Sequence, residues 1–368
     1  MTGGAGLAGA LEHRDVVLAV GAGGVGKTTT AAAIGLAAAL RGRRVCVVTV
    51  DPARRLADAL GGTVLGDEPR RVGPDSRGEL WAMMLDPKST FDAVVSDHAG
   101  SPEQAAEILA NPFYQRLSTS LPGVHEYMAT ETLHRLAVDD RFDLVVVDTP
   151  PSRHVLDLVD APDRLTRFLD NRMYRTLVRP AGGVARLAAA PARALSRRLA
   201  AVVGGQIVDD AIGFFEAFQG MEEGFVERAR AVRALLAADT TLVLAVATPK
   251  RDTVATGLEI TGALAERGIR TSAAVANMTT FDPWPEIAEW GEQLSVTPEL
   301  SLRLDGLRDR HVRADAERAV LEPLFDAVAA TIQIHRRATE LGDHAALAAL
   351  GGAILEGTDR YDVGDGER

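Results

Sequence analysis

Residues 21–28 read Gly-Ala-Gly-Gly-Val-Gly-Lys-Thr, and this octapeptide constrains the fold of the chain more than any other segment. It fits the pattern G-x-x-x-x-G-K-[ST], in which glycines let consecutive backbone amides turn inward around an anion. The apolar run 16–20 before it predicts a strand, and residues 28–40 after it predict a helix. A strand, a glycine-rich turn and a helix in this order predict a phosphate-binding loop.

The residues of this loop have distinct predicted roles. Lys27 would reach the β- and γ-phosphates of a nucleotide, and the hydroxyl of Thr28 would bind Mg²⁺. Of the 40 lysines and arginines in the chain, only three are lysines: Lys27, Lys88 and Lys250. Because arginine is the usual cation of this chain, a lysine at this position of the loop favours a functional role. Before Lys27, the residues predicted to bind the nucleotide through their backbone are Gly21, Gly23, Gly24, Val25 and Gly26.

Two aspartates follow apolar runs that predict strands. Residues 142–148 (FDLVVVD) end in Asp148, as a Walker B strand does, and this carboxylate would hold Mg²⁺ through water. Residues 47–51 end in Asp51, which would orient or deprotonate the attacking water and support the metal through water. Asp51 also suits a helix N-cap, because Pro52 follows it, and the two roles are compatible.

Asn277 follows the apolar run 273–276, and a side-chain amide at that point can read the exocyclic amine and ring nitrogen of adenine. Asparagine is also common at strand ends without such a role. His98 and His154 have no second histidine or cysteine at ligand spacing, so we predict no transition metal. The expected ligands are ATP and Mg²⁺.

The apolar runs are nearly continuous rather than alternating, which is typical of parallel strands buried on both faces. Helical stretches separate them, and this alternation predicts an α/β fold, a P-loop NTPase with a doubly wound, mostly parallel sheet. The nucleotide site would lie at the carboxyl ends of the strands. The runs comprise residues 16–20, 45–50, 80–85, 144–147, 242–247 and 273–276.

Two connections are too long to be simple crossovers. Residues 86–141 and 152–238 are predicted to be mainly helical and hold most of the aromatic residues, so we expect two insertions that form one α-helical subdomain. Their Phe and Met residues favour a core, with a binding groove as the alternative. The predicted nucleotide-binding domain comprises residues 1–85, 142–151 and 239–357, followed by a polar tail, 358–368. After about residue 300 the sequence shows no clear final strand with a Pro-rich loop to pack on adenine, and we expect helical sequence to continue to Gly352.

Composition limits the function classes. The net charge of −11 disfavours nucleic-acid binding, and the single Cys46 is expected to be a buried strand residue. The sequence shows neither a membrane-spanning apolar run nor a secretory signal, so we expect a cytoplasmic protein. Residues 164–198 contain nine arginines and one acid, which suggests a docking face for an acidic partner, a membrane protein or an anionic membrane surface. A solvated helix face is the alternative.

Four segments occur in one order: the octapeptide, residues 48–60 (VTVDPARRLADAL), residues 145–162 (VVVDTPPSRHVLDLVDAP) and residues 275–278 (VANM). Together they resemble the arsenical pump-driving and tail-anchored-protein-targeting ATPases, and more closely an actinobacterial branch known as anion-transporting ATPases. The resemblance covers about residues 14–280. It implies a Mg-ATP-dependent dimer whose helical subdomains open and close with nucleotide state.

The resemblance also implies a role for individual residues. Lys27 and Thr28 would bind phosphate and Mg²⁺, and Thr29 would lie near the α-phosphate. Asp51 in switch I would position water, and Asp148 in switch II would support the metal. By the same resemblance, Asn277 would recognise adenine.

The chain departs from the family pattern at several positions. Ala22 stands where the family usually has a second lysine that crosses the dimer to the partner's phosphates, a cation that can be worth several kcal/mol. Arg55 stands where switch I usually carries asparagine, and Arg55 or Arg54 can partly replace the missing charge. The thiols that bind arsenite or zinc in relatives are absent, because Cys46 is the single cysteine.

These features leave several functions open. The first is an ATPase that couples nucleotide hydrolysis to capture or release of a client. The second is a nearly inactive subunit of a heterodimer with a lysine-bearing paralogue, for which Ala22 is the reason. The third is a membrane-associated positioning ATPase, for which residues 164–198 are the reason. A P-loop kinase is the weakest alternative, since the sequence lacks lid arginines placed to bind an acceptor.

Overall fold

The computed structural model describes residues 7–50, 55–62, 64–74, 77–120, 123–151, 154–170, 205–291, 297–337 and 343–357. The chain divides into two compact units. The first, here called the α/β unit, comprises Met1–Met84, Asp139–Leu156 and Ala237–Arg368. The second, here called the helical unit, comprises Leu85–Val138 and Asp157–Leu236.

The α/β unit is built on an eight-stranded sheet in the order β3-β4-β2-β5-β1-β6-β7-β8. Neighbouring strands are parallel throughout, except that β3 runs antiparallel to β4. This topology confirms the prediction of a doubly wound, mostly parallel sheet. The strands are β1 (Val16–Gly21), β2 (Arg44–Thr49), β3 (Arg70–Val72), β4 (Glu79–Met84), β5 (Leu144–Asp148), β6 (Thr241–Ala247), β7 (Thr271–Thr279) and β8 (Ala330–His335).

The central strands are buried on both faces, as their continuous apolar sequences predict. Every residue of β1, β5 and β6 is buried. Cys46 in β2 is also buried, as expected, and desolvation raises the pKa of its thiol to about 12. The thiol is therefore protonated at neutral pH and unreactive.

Helices flank the sheet. Crossover connections between parallel strands are right-handed. Connections that lead from one strand to the next in opposite directions along the sheet therefore place their helices on opposite faces of the sheet. The helices of this unit are α1 (Ala8–Leu11), α2 (Lys27–Leu40) and α3 (Arg55–Ala59), and, further along the chain, α11 (Arg251–Glu266), α12 (Trp284–Gly291), α13 (Pro298–Asp326) and α14 (His344–Glu356).

The expectation of no final strand after residue 300 was wrong. Ala330–His335 forms β8 and pairs in parallel with β7. The strand lies at the edge of the sheet and buries only Ile332 and Ile334, which alternate with polar residues. So short an alternating pattern between two helices gives little sequence signal, and the helical expectation holds only for the flanking α13 and α14.

The helical unit contains α4 (Pro87–His98), α5 (Pro102–Ala110), α6 (Pro112–Ser120) and α7 (Val124–Ala137), then α8 (His154–Asp170), α9 (Gly205–Ala217) and α10 (Glu222–Ala237). Three of these helices, α4, α5 and α6, begin with a proline that follows a capping side chain. Asp86 accepts from the amide of Lys88 at 3.0 Å, and Ser101 accepts from the amide of Gln104 at 3.2 Å. Asn111 accepts from the amide of Phe113 at 2.8 Å. Among the described residues, no helix is long and apolar enough to span a bilayer.

Aromatic residues make up much of the core of the helical unit. Phe214 packs against Phe218 with ring centroids 5.6 Å apart, and Phe218 packs against Phe225 at 5.0 Å. The rings of Phe91 and Tyr114 meet edge to face at 5.0 Å. A cavity of about 320 Å³ lies among them, so the same residues form both a core and a concave apolar surface.

A charged pair links α7 and α10 in the helical unit. Glu131 of α7 is fully buried, and its Oε1 lies 3.1 Å from Nε of Arg228 in α10. Desolvation raises the pKa of Glu131, and the nearby Arg228 charge opposes that change. The side chain of Arg228 is 26% exposed, so loss of Arg228 would leave a buried carboxylate uncompensated, whereas loss of Glu131 would leave a cation that water still reaches.

Most of the arginine-rich segment, residues 171–198, lies outside the described residues, so its proposed docking role stays a prediction. The two arginines that are described lie on α8 and are engaged locally. Arg164 forms an ion pair with Asp157 at 2.7 Å, and Arg167 donates to the carbonyl of Asp163 at 3.2 Å.

The packing of α14 on α2 supports the helix that follows the phosphate loop. A Cβ added to Gly351 would collide with the carbonyl oxygen of Ala33 and would lie 2.7 Å from Cβ of Ala37. At the neighbouring Gly352, no heavy atom from another part of the described structure lies within 4 Å of the same position. Gly351 is therefore required for the close approach of the two helices, whereas Gly352 is not.

We expect Gly351→Ala to lower the free energy of unfolding by about 1–3 kcal/mol, because the added methyl group forces α14 away from α2. Gly352→Ala is the matched control and should raise it by about 0.5–1 kcal/mol, as alanine does in a helix interior. Chemical unfolding monitored by circular dichroism measures both. Equal shifts for the two variants would show that the helices are not in close contact here.

Candidate nucleotide-binding site

The phosphate loop leaves the centre of the sheet through backbone that only glycine adopts easily. Gly21 ends β1 with a φ of 151°, and a Cβ there would collide with the carbonyl of Val246 in β6. Gly26 has a φ of 94° and directly precedes α2. These two positions explain why the sequence places glycine at both ends of the loop.

The amino terminus of α2 is suited to an anion. Lys27 is the first residue of the helix, and no side chain of the described residues caps it. A cavity of about 560 Å³ lies beside this terminus. Its walls include the loop and helix residues Gly23, Gly24, Gly26, Lys27, Thr28 and Thr29. A helix terminus with amides and a positive dipole end beside such a space is a site for phosphate.

Lys27 is held at the loop by backbone carbonyls. Its side chain is 7% exposed, and Nζ donates to the carbonyl oxygens of Ala22 at 2.9 Å and Gly21 at 3.2 Å. The ammonium group therefore lies against the loop that its own sequence motif defines. Phosphate oxygens would accept stronger, charge-assisted hydrogen bonds than these neutral carbonyls.

Asp148 is the last residue of β5, and its side chain contacts the start of α2. Its side chain is 1% exposed, and Oδ2 accepts a hydrogen bond from the hydroxyl of Thr28 at 2.8 Å. The structure thus brings together two residues that are 120 positions apart and that the sequence predicted to share a metal ion.

Hydroxyl and carboxylate oxygens are the ligands that Mg²⁺ prefers, and at this point of the cavity Thr28 and Asp148 provide both. The hydroxyl of Thr28 donates its one hydrogen bond to Asp148, so the lone pairs of the Thr28 oxygen remain for a cation. The donor set therefore fits a divalent ion.

Thr49, which the sequence did not single out, and Thr149, which belongs to the loop 148–152 predicted to sense the γ-phosphate, also take part in the site. Thr49, at the end of β2, donates to Oδ2 of Asp148 at 2.9 Å. Thr149 donates to the carbonyl of Ala19 in β1 at 2.7 Å, which fixes the residue directly after Asp148. Both are 2% exposed. In the sequence, the feature that could have indicated Thr49 is a hydroxyl side chain at the end of a mainly apolar strand.

Switch I is described only from Arg55 onward. Asp51 lies outside the described residues, so its predicted role in positioning water stays a prediction. Arg55, the first residue of α3, lines the cavity together with Asp58. A second cation therefore borders the same space as Lys27.

Asn277 reaches the phosphate loop from the end of β7. Its Nδ2 donates to the carbonyl of Val25 at 2.9 Å, and its Oδ1 accepts from the amide of Met278 at 3.0 Å. A Cβ on Gly26 would collide with this amide nitrogen. Met278 lines the cavity and has a positive φ of 62°. Adenine recognition by Asn277 stays a prediction.

The curated relatives of this chain include three fungal ATPases. ATPase GET3 of Malassezia globosa is 35% identical over 149 residues, covering 40% of this chain and 43% of the relative. ATPase get3 of Aspergillus terreus is 33% identical over 150 residues, with coverage of 40% and 43%. ATPase GET3 of Kluyveromyces lactis is 29% identical over 170 residues, with coverage of 43% and 48%. The matched region thus spans less than half the length of these relatives.

A family model described as anion-transporting ATPase matches residues 14–286. This range is well over half of the chain, and it includes the phosphate loop, Asp148 and Asn277. The match agrees with the resemblance found in the sequence and with the site in the sheet, and we conclude that the chain belongs to the anion-transporting ATPase family.

Proposed function

We propose that this chain hydrolyses ATP with a divalent cation and uses the cycle to capture and release a membrane-protein client. The observation that carries the proposal is the hydrogen bond between Thr28 and Asp148, 2.8 Å long, at the mouth of the phosphate loop. Family membership supports the same reaction. The client and the proposed dimer follow from the family resemblance and need direct tests.

Each residue of the site has a role in this proposal. The loop amides and Lys27 hold the phosphates, and Thr28 and Asp148 hold Mg²⁺, the latter through water. When bound, Mg²⁺ neutralises charge on the β- and γ-phosphates. Asp51 orients the attacking water, and its proton passes to that carboxylate or to the phosphate. Arg55 adds positive charge at the cavity wall.

The helical unit supplies a surface for an apolar client segment in this proposal. Its cavity is lined by aromatic and aliphatic side chains, among them Phe91, Phe214 and Phe215. Phe168 lines the same cavity and is 51% exposed, so part of this apolar lining is accessible to solvent. The chain passes from Asp148 into the helical unit at Asp157, which gives the site a direct covalent link to it.

We expect Lys27→Ala to reduce ATP turnover by about a hundredfold or more, because a buried cation at the phosphates is lost. The same variant should lose ATP-dependent release of a peptide that carries an apolar segment of about 20 residues. Steady-state phosphate release and fluorescence anisotropy of the labelled peptide measure the two effects.

Two variants serve as controls for this experiment. Lys88→Ala removes an exposed ion pair with Asp92 and should leave turnover unchanged. Asp51→Asn should keep ATP binding and lose turnover. Wild-type protein that neither hydrolyses ATP nor responds to it when the peptide is bound would contradict the proposed function.

We expect Asn277→Ala to weaken ATP binding by about tenfold more than it weakens binding of inorganic triphosphate, because only ATP carries a base for the amide to read. The preference for ATP over GTP should fall as well. Calorimetric titration of the three ligands measures this. Equal losses for ATP and triphosphate would show that Asn277 acts through its bond to Val25 alone.

A second candidate function is a weakly active subunit that depends on a lysine-bearing paralogue. The observation that favours it is Ala22, where the family usually has a lysine. Ala22 is 8% exposed and belongs to the apolar core of the α/β unit. A lysine there would have to extend out of this core to reach a partner's phosphates.

We expect Ala22→Lys to lower the unfolding midpoint and to leave ATP turnover no higher than in the wild type, because the longer side chain does not fit the core. Thermal unfolding and phosphate release measure the two properties on the same samples. Negligible wild-type turnover that Ala22→Lys restores would instead support the heterodimer.

A further inference from the structure

Thr49 and Asp148 occupy matching positions at the carboxyl ends of adjacent strands. β2 and β5 are parallel, and their register pairs Thr49 with Asp148. The amide of Val50 then donates to the carbonyl of Asp148 at 3.2 Å, so backbone pairing continues past the end of β2. The two side chains are therefore held side by side by the sheet itself.

The two threonine hydroxyls converge on one carboxylate oxygen. Oδ2 of Asp148 accepts from Thr28 at 2.8 Å and from Thr49 at 2.9 Å. The three residues come from three different elements, α2, β2 and β5. Thr49 and Asp148 are nearly inaccessible to solvent, so water competes little for these hydrogen bonds.

This convergence determines which way the carboxylate faces. The terminal torsion of an aspartate is broad, and a single hydrogen bond leaves rotation of the group only weakly restricted. Two donors on the same oxygen, one from α2 and one from β2, restrict that rotation. Oδ2 is thereby held between Thr28 and Thr49.

We infer that Thr49 is a positioning residue for the divalent cation of the ATPase reaction, acting through the carboxylate of Asp148. This inference rests on the proposed metal role of Asp148 and Thr28. Thr49 orients Asp148, and Asp148 in turn accepts a hydrogen bond from the hydroxyl of Thr28. The lone pairs of the Thr28 oxygen are then left to face the cation.

Thr49 also lies two positions before Asp51 in the chain. Its bond to Asp148 therefore connects the strand that leads into switch I with the strand that leads into switch II. A shift of either strand end would disturb the same carboxylate. The metal site thus depends on the relative position of two segments that the family resemblance identifies as the nucleotide switches.

The test compares Thr49→Val, which removes the hydroxyl and keeps the branched shape, with Thr49→Ser, which restores a hydroxyl. The affinity for a fluorescent ATP analogue is measured with excess Mg²⁺ and with EDTA. The ratio of the two affinities gives the enhancement of binding by Mg²⁺ without reference to turnover. Thermal unfolding confirms that each variant is folded.

Thr271→Val is the matched control. Thr271 is a buried threonine at the start of β7, at the amino ends of the parallel strands and thus away from the site, and its hydroxyl has no hydrogen-bond partner among the described residues. Removing this hydroxyl should leave both affinities unchanged. The control therefore separates loss of a buried hydroxyl as such from loss of the bond to Asp148.

We expect Thr49→Val to reduce the Mg²⁺ enhancement about tenfold while the affinity in EDTA stays at the wild-type value, because the phosphate loop is intact. The concentration of Mg²⁺ that half-saturates turnover should rise by a similar factor, and Thr49→Ser should recover most of the loss. An unchanged enhancement, or equal losses with Mg²⁺ and with EDTA, would overturn the role of Thr49. A wild-type protein without any Mg²⁺ enhancement would overturn the metal role of Asp148 as well.

Discussion

The hydrogen bond between Thr28 and Asp148 depends on the sheet, and the site depends on that bond. It forms because β1 and β5 are adjacent and parallel, so that the loop after one strand and the last residue of the other meet at the same edge. A buried carboxylate is costly unless hydrogen bonds compensate for its lost hydration. Here two threonine hydroxyls do so, and the polar site can exist at the end of strands that are otherwise entirely apolar.

The sequence predicted the central part of this fold well, since β1, β5 and β6 are buried on both faces and their sequences are continuous runs of Val, Leu and Ala. It did not predict β3 or β8, which lie at the two edges of the sheet. An edge strand buries only part of its surface, so its sequence must satisfy fewer constraints. In β8, Ile332 and Ile334 suffice for the contact with β7, and the intervening residues are free to be polar.

The phosphate loop could be predicted for a different reason, because the motif is local and each residue acts through its own backbone or through close neighbours. The residues that contact the loop from other elements could not be predicted in this way. Thr49 reaches Asp148 only through the strand register, and Asn277 reaches Val25 across 252 positions of the chain. Adenine recognition by Asn277 stays a prediction, and the bond of its amide to the loop carbonyl needs the relative position of β7 and β1, which no local pattern encodes.

Ala22 shows how packing limits the chemistry of the site. The resemblance to the family suggests a lysine at this position, and its absence from the sequence alone could be read as a simple loss of charge. In the structure the side chain of Ala22 belongs to the same apolar core as Val25, so the loop uses this position for packing. A charge placed there would have to leave the core or be buried at high cost. Any cation beyond Lys27 must then come from another element, and Arg55 of α3 already lines the cavity. The alanine at position 22 and the arginine at position 55 are therefore consistent with one altered arrangement of charge around the phosphates.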